Sequence, residues 1–303
     1  MSKPAAGRST LRIATRGSAQ ARTQAEVVAA QLGDVHPGLD LSLVLVETTG
    51  DRRADVPLHE IGGQGVFVKE VQRAVLDGRA DLAVHSAKDL TSQPTDGLVL
   101  ASVPPRRDAR DALIGSTLDG LAQGATVATG SVRRRAQLAR VRPDLAFVEL
   151  RGNIATRLDK VPANGAIVMA VAALEVLGLT DRIAEVLDPR EFVPQVGQGA
   201  IAIECREGDA ATLARCQAIE DTASRHDVEV ERAFLAEIGS GCTLPVGASV
   251  LHVADGRRLA AFLADDDGRA VSQTFPLDGR HDMEIARDAV TTLRAGLAAP
   301  SAG

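Results

Sequence analysis

The residues best placed to do chemistry lie in the stretch RADLAVHSAKDL, Arg79–Leu90. Ala80–Val84, apolar but for Asp81, has the pattern of a strand buried on both faces. It ends abruptly in His85, Ser86, Lys88 and Asp89. Open α/β sheets place their ligands at such carboxyl edges. Asp89 is therefore a candidate working carboxylate with Lys88 as its cationic neighbour. The alternative is that Asp89 caps a following turn and Lys88 is solvated.

Further cations follow other strand ends. Arg16 and Ser18 stand where the strand Leu11–Ala14 gives way to a helix running to about Leu32. Exposed N–H groups and the helix dipole make such a junction an anion site, although Ser18 could equally be a simple helix cap. Thr129-Gly130-Ser131 repeats the junction after the strand Ala125–Ala128. Arg133 and Arg134 then fall in the first turn of a helix that runs to about Arg140. Cations at that end cost roughly 0.3–1 kcal/mol each when exposed, so an anion in front of the helix would explain them; a solvated basic face would not need one. Arg151 and Arg157 follow the strand Phe147–Leu150. Together these groups ask for a ligand with several carboxylates or phosphates. Neither a GxxxxGK[ST] loop nor a GxGxxG after a strand is present, which disfavours nucleotides. A lone acid amid cations suits a developing positive charge or a proton transfer.

Cys242 sits on a glycine-bearing loop, GSGCTLPVG. Its thiolate could be a nucleophile or an attachment point, or the residue could be a buried structural cysteine. Cys205 and Cys216 fit the structural role. The cysteine spacings predict no metal site.

The elements that must position these residues read as alternating strands and helices to about residue 220. The stretch 48–65 is long, charged and glycine-rich, as lids and binding loops are. Leu179–Val186 has helical spacing. The Gly-rich Pro194–Ala200 leads to a strand, Ile201–Glu204, that could carry the chain back into the first unit. From about Asp221 the style changes to a helix, Val228–Glu237, then strand-like runs punctuated by Asp-Gly pairs at 255–256, 267–268 and 278–279. That predicts an antiparallel meander closed by a helix over about Asp282–Leu297. At 303 residues the chain should form two or three domains. The net charge of -6 and six aromatic residues, all Phe, argue against a nucleic-acid partner. The N-terminus lacks the apolar region of a signal peptide, and no apolar run is long enough to span a bilayer. A cytoplasmic protein with no membrane partner is expected.

The stretches IATRGS, GGQGVFVKE, ADLAVHSAKDL, TGSVRRRAQLAR, LRGNIATRL, VGQGAIAIECR and ERAFLAEIGSGCTLPVG together resemble the hydroxymethylbilane synthase family, also called porphobilinogen deaminase, over nearly the full length. The resemblance implies head-to-tail condensation of four porphobilinogen molecules, with loss of ammonia, to the linear tetrapyrrole hydroxymethylbilane. It implies a covalent dipyrromethane primer, thioether-linked to Cys242, and Asp89 as the catalytic carboxylate. Lys88, Ser131, Arg133, Arg134 and Gln198 would hold the cofactor. Arg16, Ser18, Phe67, Thr129, Arg151 and Arg157 would meet substrate, Phe67 by packing near the pyrroles. The implied fold is α/β: two facing periplasmic-binding-protein-like domains, 1–104 with 201–220 and 105–200, plus a small C-terminal α+β domain, 221–303, bearing the cysteine. A monomer is implied. Val176 stands where many members have a basic residue, Glu60 and Gln64 replace common lysines, and Ala19 replaces a common proline. These departures bear on affinity and on the loop. Two other classes fit part of the pattern: a non-catalytic anion clamp, and a thiol enzyme built on Cys242.

Overall fold

The computed structural model describes residues 10–52, 65, 67–239, 245–265 and 267–299. The chain opens with β1 (Thr10–Arg16), α1 (Ala19–Val35), β2 (Asp40–Val46), α2 (Thr49–Arg52) and α3 (Lys69–Leu76). Then come β3 (Leu82–Ser86), a 3-10 turn (Ala87–Asp89) and β4 (Leu98–Ser102). A second run comprises β5 (Asp111–Ile114), β6 (Thr126–Ala128), α4 (Val132–Val141), β7 (Ala146–Val148), α5 (Ile154–Leu158), β8 (Ala166–Ala170), α6 (Val171–Val176) and β9 (Glu185–Val186). The chain then returns through β10 (Ile201–Arg206), α7 (Ala210–Gln217) and α8 (Thr222–Ile238), and ends in β11 (Val246–Val253), β12 (Gly256–Ala264), β13 (Ala270–Pro276) and α9 (Asp282–Ala298).

Two five-stranded sheets share one plan. The first has the order β2-β1-β3-β10-β4 and the second β7-β6-β8-β5-β9. In each, three parallel strands are followed by an antiparallel strand supplied from across the molecule: β10 lies antiparallel to β3 and β4, and β5 antiparallel to β8 and β9. This is the pair of α/β units that the resemblance implies, and the repeated βα junction at Thr15–Ser18 and Thr129–Ser131 stands at the end of the first strand of each parallel set. The return strand at 201 is part of the first sheet, as expected.

Both faces of the first sheet are covered, and this is why β3 is apolar from Leu82 to Val84. Leu82 and Val84 pack with Leu11, Ile13, Val28 and Leu32 on the α1 side. Ala83 packs with Ala14, Val71 and Val75 on the α3 side. The period-2 alternation of a strand sends neighbours to opposite faces.

The C-terminal unit is the expected meander of β11, β12 and β13. Along β12, Leu259, Ala261 and Leu263 face Phe234 of α8 and Leu293 of α9. Ala260, Phe262 and Ala264 face Val193 and Ala136 of the second unit. The third Asp-Gly pair enters α9 instead of another strand, with the Gly279 N–H donating to Asp282 at 2.7 Å.

One expected helix is absent. Leu179–Val186 forms a single 3-10 turn, Thr180–Arg182, followed by β9. Its apolar residues have helical spacing, but Glu185 and Val186 pair with Leu113 and Ala112 at the edge of the second sheet. Tertiary pairing overrides the local pattern. The expected loop at 48–65 begins with the helical turn α2; residues 53–64, including Glu60 and Gln64, lie outside the described residues. No helix among the described residues is long and apolar enough to cross a membrane.

Candidate functional site at the crossing of the two units

Two segments connect the sheets, 103–110 outward and 187–200 back, and they touch each other beside the 3-10 turn. Arg107 N donates to Gly199 O at 3.0 Å. Gly197 and Gly199 have φ of 70° and 85°. A Cβ on Gly197 would lie 3.0 Å from the backbone of Ala87 and Lys88, and one on Gly199 would lie 2.6 Å from Arg107 O. Only glycine combines positive φ with so close an approach. The returning strand is thereby pressed against the turn that carries Lys88 and Asp89. Gln195 fixes that turn from the same segment, its Nε2 donating to Lys88 O at 3.3 Å.

A buried carboxylate ties this crossing to the C-terminal unit. Glu231 of α8 is fully buried and accepts from both terminal guanidinium nitrogens of Arg106, at 2.7 and 3.0 Å. It also accepts the N–H groups of Gly197 and Val250, each at 2.8 Å. The segments that connect the two sheets are thereby tied to the C-terminal unit by one charge-assisted network.

Gln198 stands at the centre of the site. Its Nε2 donates to Ala109 O at 2.7 Å and to Asp111 Oδ1 at 2.8 Å. Its Oε1 accepts from Lys88 Nζ at 3.4 Å and from Arg134 Nη2 at 3.5 Å. A fully buried amide thus spans from the first unit to the second.

Arg133 and Arg134 are buried and share Asp111. Arg133 Nη2 reaches its Oδ2 at 2.8 Å, and Arg134 reaches its Oδ1 from Nη2 at 2.7 Å and Nε at 3.1 Å. Their Nη1 atoms donate to Val193 O and Val168 O respectively. The anion that the misplaced arginines asked for is thus in part the chain's own. Burial works to raise the Asp111 pKa, but the two guanidinium groups outweigh it and hold the carboxyl well below the usual range. One carboxylate against two guanidinium groups leaves the cluster positive.

Lys88 adds to that excess. Burial pushes its ammonium pKa down to about 8, helped by Arg134 and opposed by Asp89 and Asp111. Arg157 donates from Nε to Gly152 O at 2.8 Å. Its pKa is pushed down to about 10, by burial first and then by Arg134 and Arg151, against Glu149 and Asp89. Asp89 lies within the field of both Lys88 and Arg157. A cleft lined by Arg16, Ser18, Gln24, Phe67, His85, Ser86, Lys88 and Asp89 opens at this edge.

The structure therefore brings Lys88, Asp89, Arg133, Arg134, Arg151, Arg157 and Gln198 into one electrostatic cluster, with Arg16, Ser18 and Phe67 along the cleft wall. Ser18 and Ser131 act locally as helix caps, accepting from Ala21 N at 3.3 Å and Arg134 N at 3.4 Å. Thr129 accepts from Ser131 N at 3.2 Å and is buried. Arg16 stacks on Phe67, 4.0 Å from the ring centroid. Cys242 lies outside the described residues. Cys205 and Cys216 are buried free thiols, pushed up by burial to about 11 and about 12, as inert core cysteines should be. No group of side chains among the described residues is arranged to hold a metal ion.

Asp111 escaped the reading of the sequence. The available signal was an acidic residue heading a four-residue strand whose other three residues are apolar, where a buried carboxylate needs a cation.

The Lys88 value gives a pH prediction. Its charge is lost as pH rises through about 8, so affinity for a carboxylate ligand should fall above that pH. The stability effect has the opposite sign. With the folded pKa below the ordinary 10.5, the unfolded chain binds more protons between about 8 and 10.5, and this group's contribution to stability rises across that window. Lys88→Arg should remove the alkaline rise in KM; a profile of kcat/KM against pH in both proteins checks this, and an identical alkaline limb in the variant would sink it.

The fold and site define a class: a two-unit clamp whose cleft is cationic, holds one candidate reactive carboxylate, and is tied to a third, cysteine-bearing unit. A family model described as "Porphobilinogen deaminase, dipyromethane cofactor binding domain" matches residues 11–214. The porphobilinogen deaminase of Syntrophotalea carbinolica is 45% identical over 265 residues, 86% of this chain and 84% of the relative. That of Streptococcus sanguinis is 41% identical over 93% of this chain and 95% of the relative. That of Nitratidesulfovibrio vulgaris is 44% identical over 96% and 94%. The chain belongs to the porphobilinogen deaminase family.

Proposed function

We propose that this enzyme joins four porphobilinogen molecules head to tail, expelling one ammonia at each condensation, and releases the linear tetrapyrrole hydroxymethylbilane. The observation that carries the reading is the placement of Asp89 at the carboxyl edge of β3, inside the field of Lys88 and Arg157. Porphobilinogen carries an acetate and a propionate on each pyrrole, so every added unit brings two more carboxylates to a cleft with excess positive charge.

The donor set suits a bound oligopyrrole. Lys88, Arg133, Arg134, Gln198 and Ser131 would hold a dipyrromethane, with Cys242 as its thioether anchor. Bound there, the dipyrromethane supplies the pyrrole carbon to which incoming units are joined. Arg16, Ser18, Phe67, Thr129, Arg151 and Arg157 would meet the incoming substrate. When the protonated amino group of the aminomethyl substituent leaves as ammonia, it takes the C–N bonding pair, and the remaining methylene-pyrrole is cationic. The Asp89 carboxylate would accept a hydrogen bond from the pyrrole N–H and offset that charge. Guanidinium groups retain their charge at any working pH and would keep the carboxylates from competing for the cation.

The division into 1–104 with 201–220, 105–200 and 221–303 gives each unit a role: the first bears the carboxylate, the second most of the arginines, and the third the cysteine. A cytoplasmic monomer without a nucleic-acid partner fits the acidic, aromatic-poor chain. Intact-protein mass spectrometry with peptide mapping tests the anchor. The expected result is added mass equal to two linked pyrroles, confined to the Cys242 peptide; active protein of unmodified mass would rule the attachment out.

A further inference from the structure

We infer that Gly50 is a positioning residue, which acts through Phe67 to hold the Arg16 guanidinium at the wall of the cleft; the inference rests on the substrate reading above. Gly50 lies in the helical turn α2. Its φ is not in the left-handed region, so its backbone would accept alanine, the better helix former. What forbids alanine is the Phe67 ring: a Cβ on Gly50 would lie 2.2 Å from Cε1, 2.5 Å from Cδ1 and 2.9 Å from Cζ. The ring is rigid, so relieving the overlap means moving it as a whole. Arg16 covers the ring from elsewhere, with its guanidinium carbon 4.0 Å from the ring centroid. The ring is thus held between the backbone of one element and the cation of another.

Neither side of the stack can easily retreat. Thr49 donates to Glu70 Oε1 from its backbone N–H at 2.9 Å and from its hydroxyl at 2.6 Å, which locks α2 to α3. The backbone just after Phe67 is bound into the start of α3, with Val68 N and Lys69 N both donating to Gly65 O. Arg16 is the last residue of β1. Both Arg16 and Phe67 line the cleft that contains Asp89. A guanidinium flat on an aromatic face loses the freedom of a long side chain. Phe67 therefore serves substrate binding through Arg16, and one of its faces is already taken.

The test is epistasis read on binding and on kinetics in the holoenzyme. The probe is a pyrrole bearing acetate and propionate but no aminomethyl group, which cannot lose ammonia, titrated by calorimetry. Gly50→Ala and Phe67→Leu should each weaken probe binding and raise KM by roughly 3- to 30-fold, the range of a cation–π contact at a partly desolvated site, with kcat little changed. In the Phe67→Leu background, Gly50→Ala should add nothing, because the ring it displaces is gone. Phe67→Tyr, which keeps the ring face, should restore binding to within about twofold of the parent. Independent, multiplying effects of the two substitutions, or unchanged probe affinity in Gly50→Ala, would overturn the inference. If Gly50→Ala fails to fold, the Arg16→Lys and Phe67→Leu pair replaces it, and additive losses in that cycle refute the stack. Failure of the parent enzyme to bind the probe would count instead against the substrate assignment.

Discussion

Asp89→Asn should fold as the parent does and lose about two to four orders of magnitude in kcat, the usual range for removing one positioned acid–base or electrostatic group. The substitution keeps the size of the side chain. The turn beneath it is held by bonds that the change does not touch, including Leu90 N to Ala87 O and Gln195 to the Lys88 carbonyl. Removing a negative charge beside Lys88 and Arg157 makes the cleft more positive, so binding of a polycarboxylate should be unchanged or tighter. KM should stay level or drop while kcat collapses. That split separates a group acting on the developing cation from one that merely shapes the cleft. Ammonia release measured against substrate concentration gives both constants, and near-normal turnover would end the role assigned to Asp89.

Asp111→Asn should be the most destabilising single change at the site. The carboxylate is buried, and two buried guanidinium groups share it. Removing one member of a buried ionic network leaves uncompensated charge and costs about 3–5 kcal/mol. The loss should appear in the midpoint of chemical denaturation. Because the folded carboxyl is held below its ordinary range, its contribution is fully present above the unfolded pKa of about 4. It fades as pH falls through that value towards the folded one, so parent and variant should converge in strong acid. Activity should fall too, since Gln198 Nε2 loses an anionic acceptor and Lys88 faces two unneutralised arginines. A denaturation midpoint equal to the parent's at neutral pH would show that water or a neighbouring group replaces the carboxylate.

Much of the architecture was legible because its causes are local. The strand at 82–86 is apolar over Leu82–Val84 because both its faces are covered, and its abrupt polar end at His85 and Ser86 marked the site. Ser18 and Ser131 revealed two helix starts, since a cap bonds only three residues along the chain. The Asp-Gly pairs marked turns for the same reason. The fate of Leu179–Val186 was not local: its spacing suits a helix, yet two of its residues complete a sheet edge laid down some seventy positions earlier.

The sequence by itself determined the alternation of elements, the cluster at Lys88 and Asp89, and the surplus of arginines at helix starts, because propensity, capping and strand burial depend on neighbours in the chain. Only the tertiary structure decided that Arg133 and Arg134 answer to Asp111, that Gln198 bridges the two units, and that Gly50 must lack a side chain beneath Phe67. Those contacts join residues from 17 to 110 positions apart. Their identity follows from how two sheets exchange strands, and the order of residues along one segment does not contain that information.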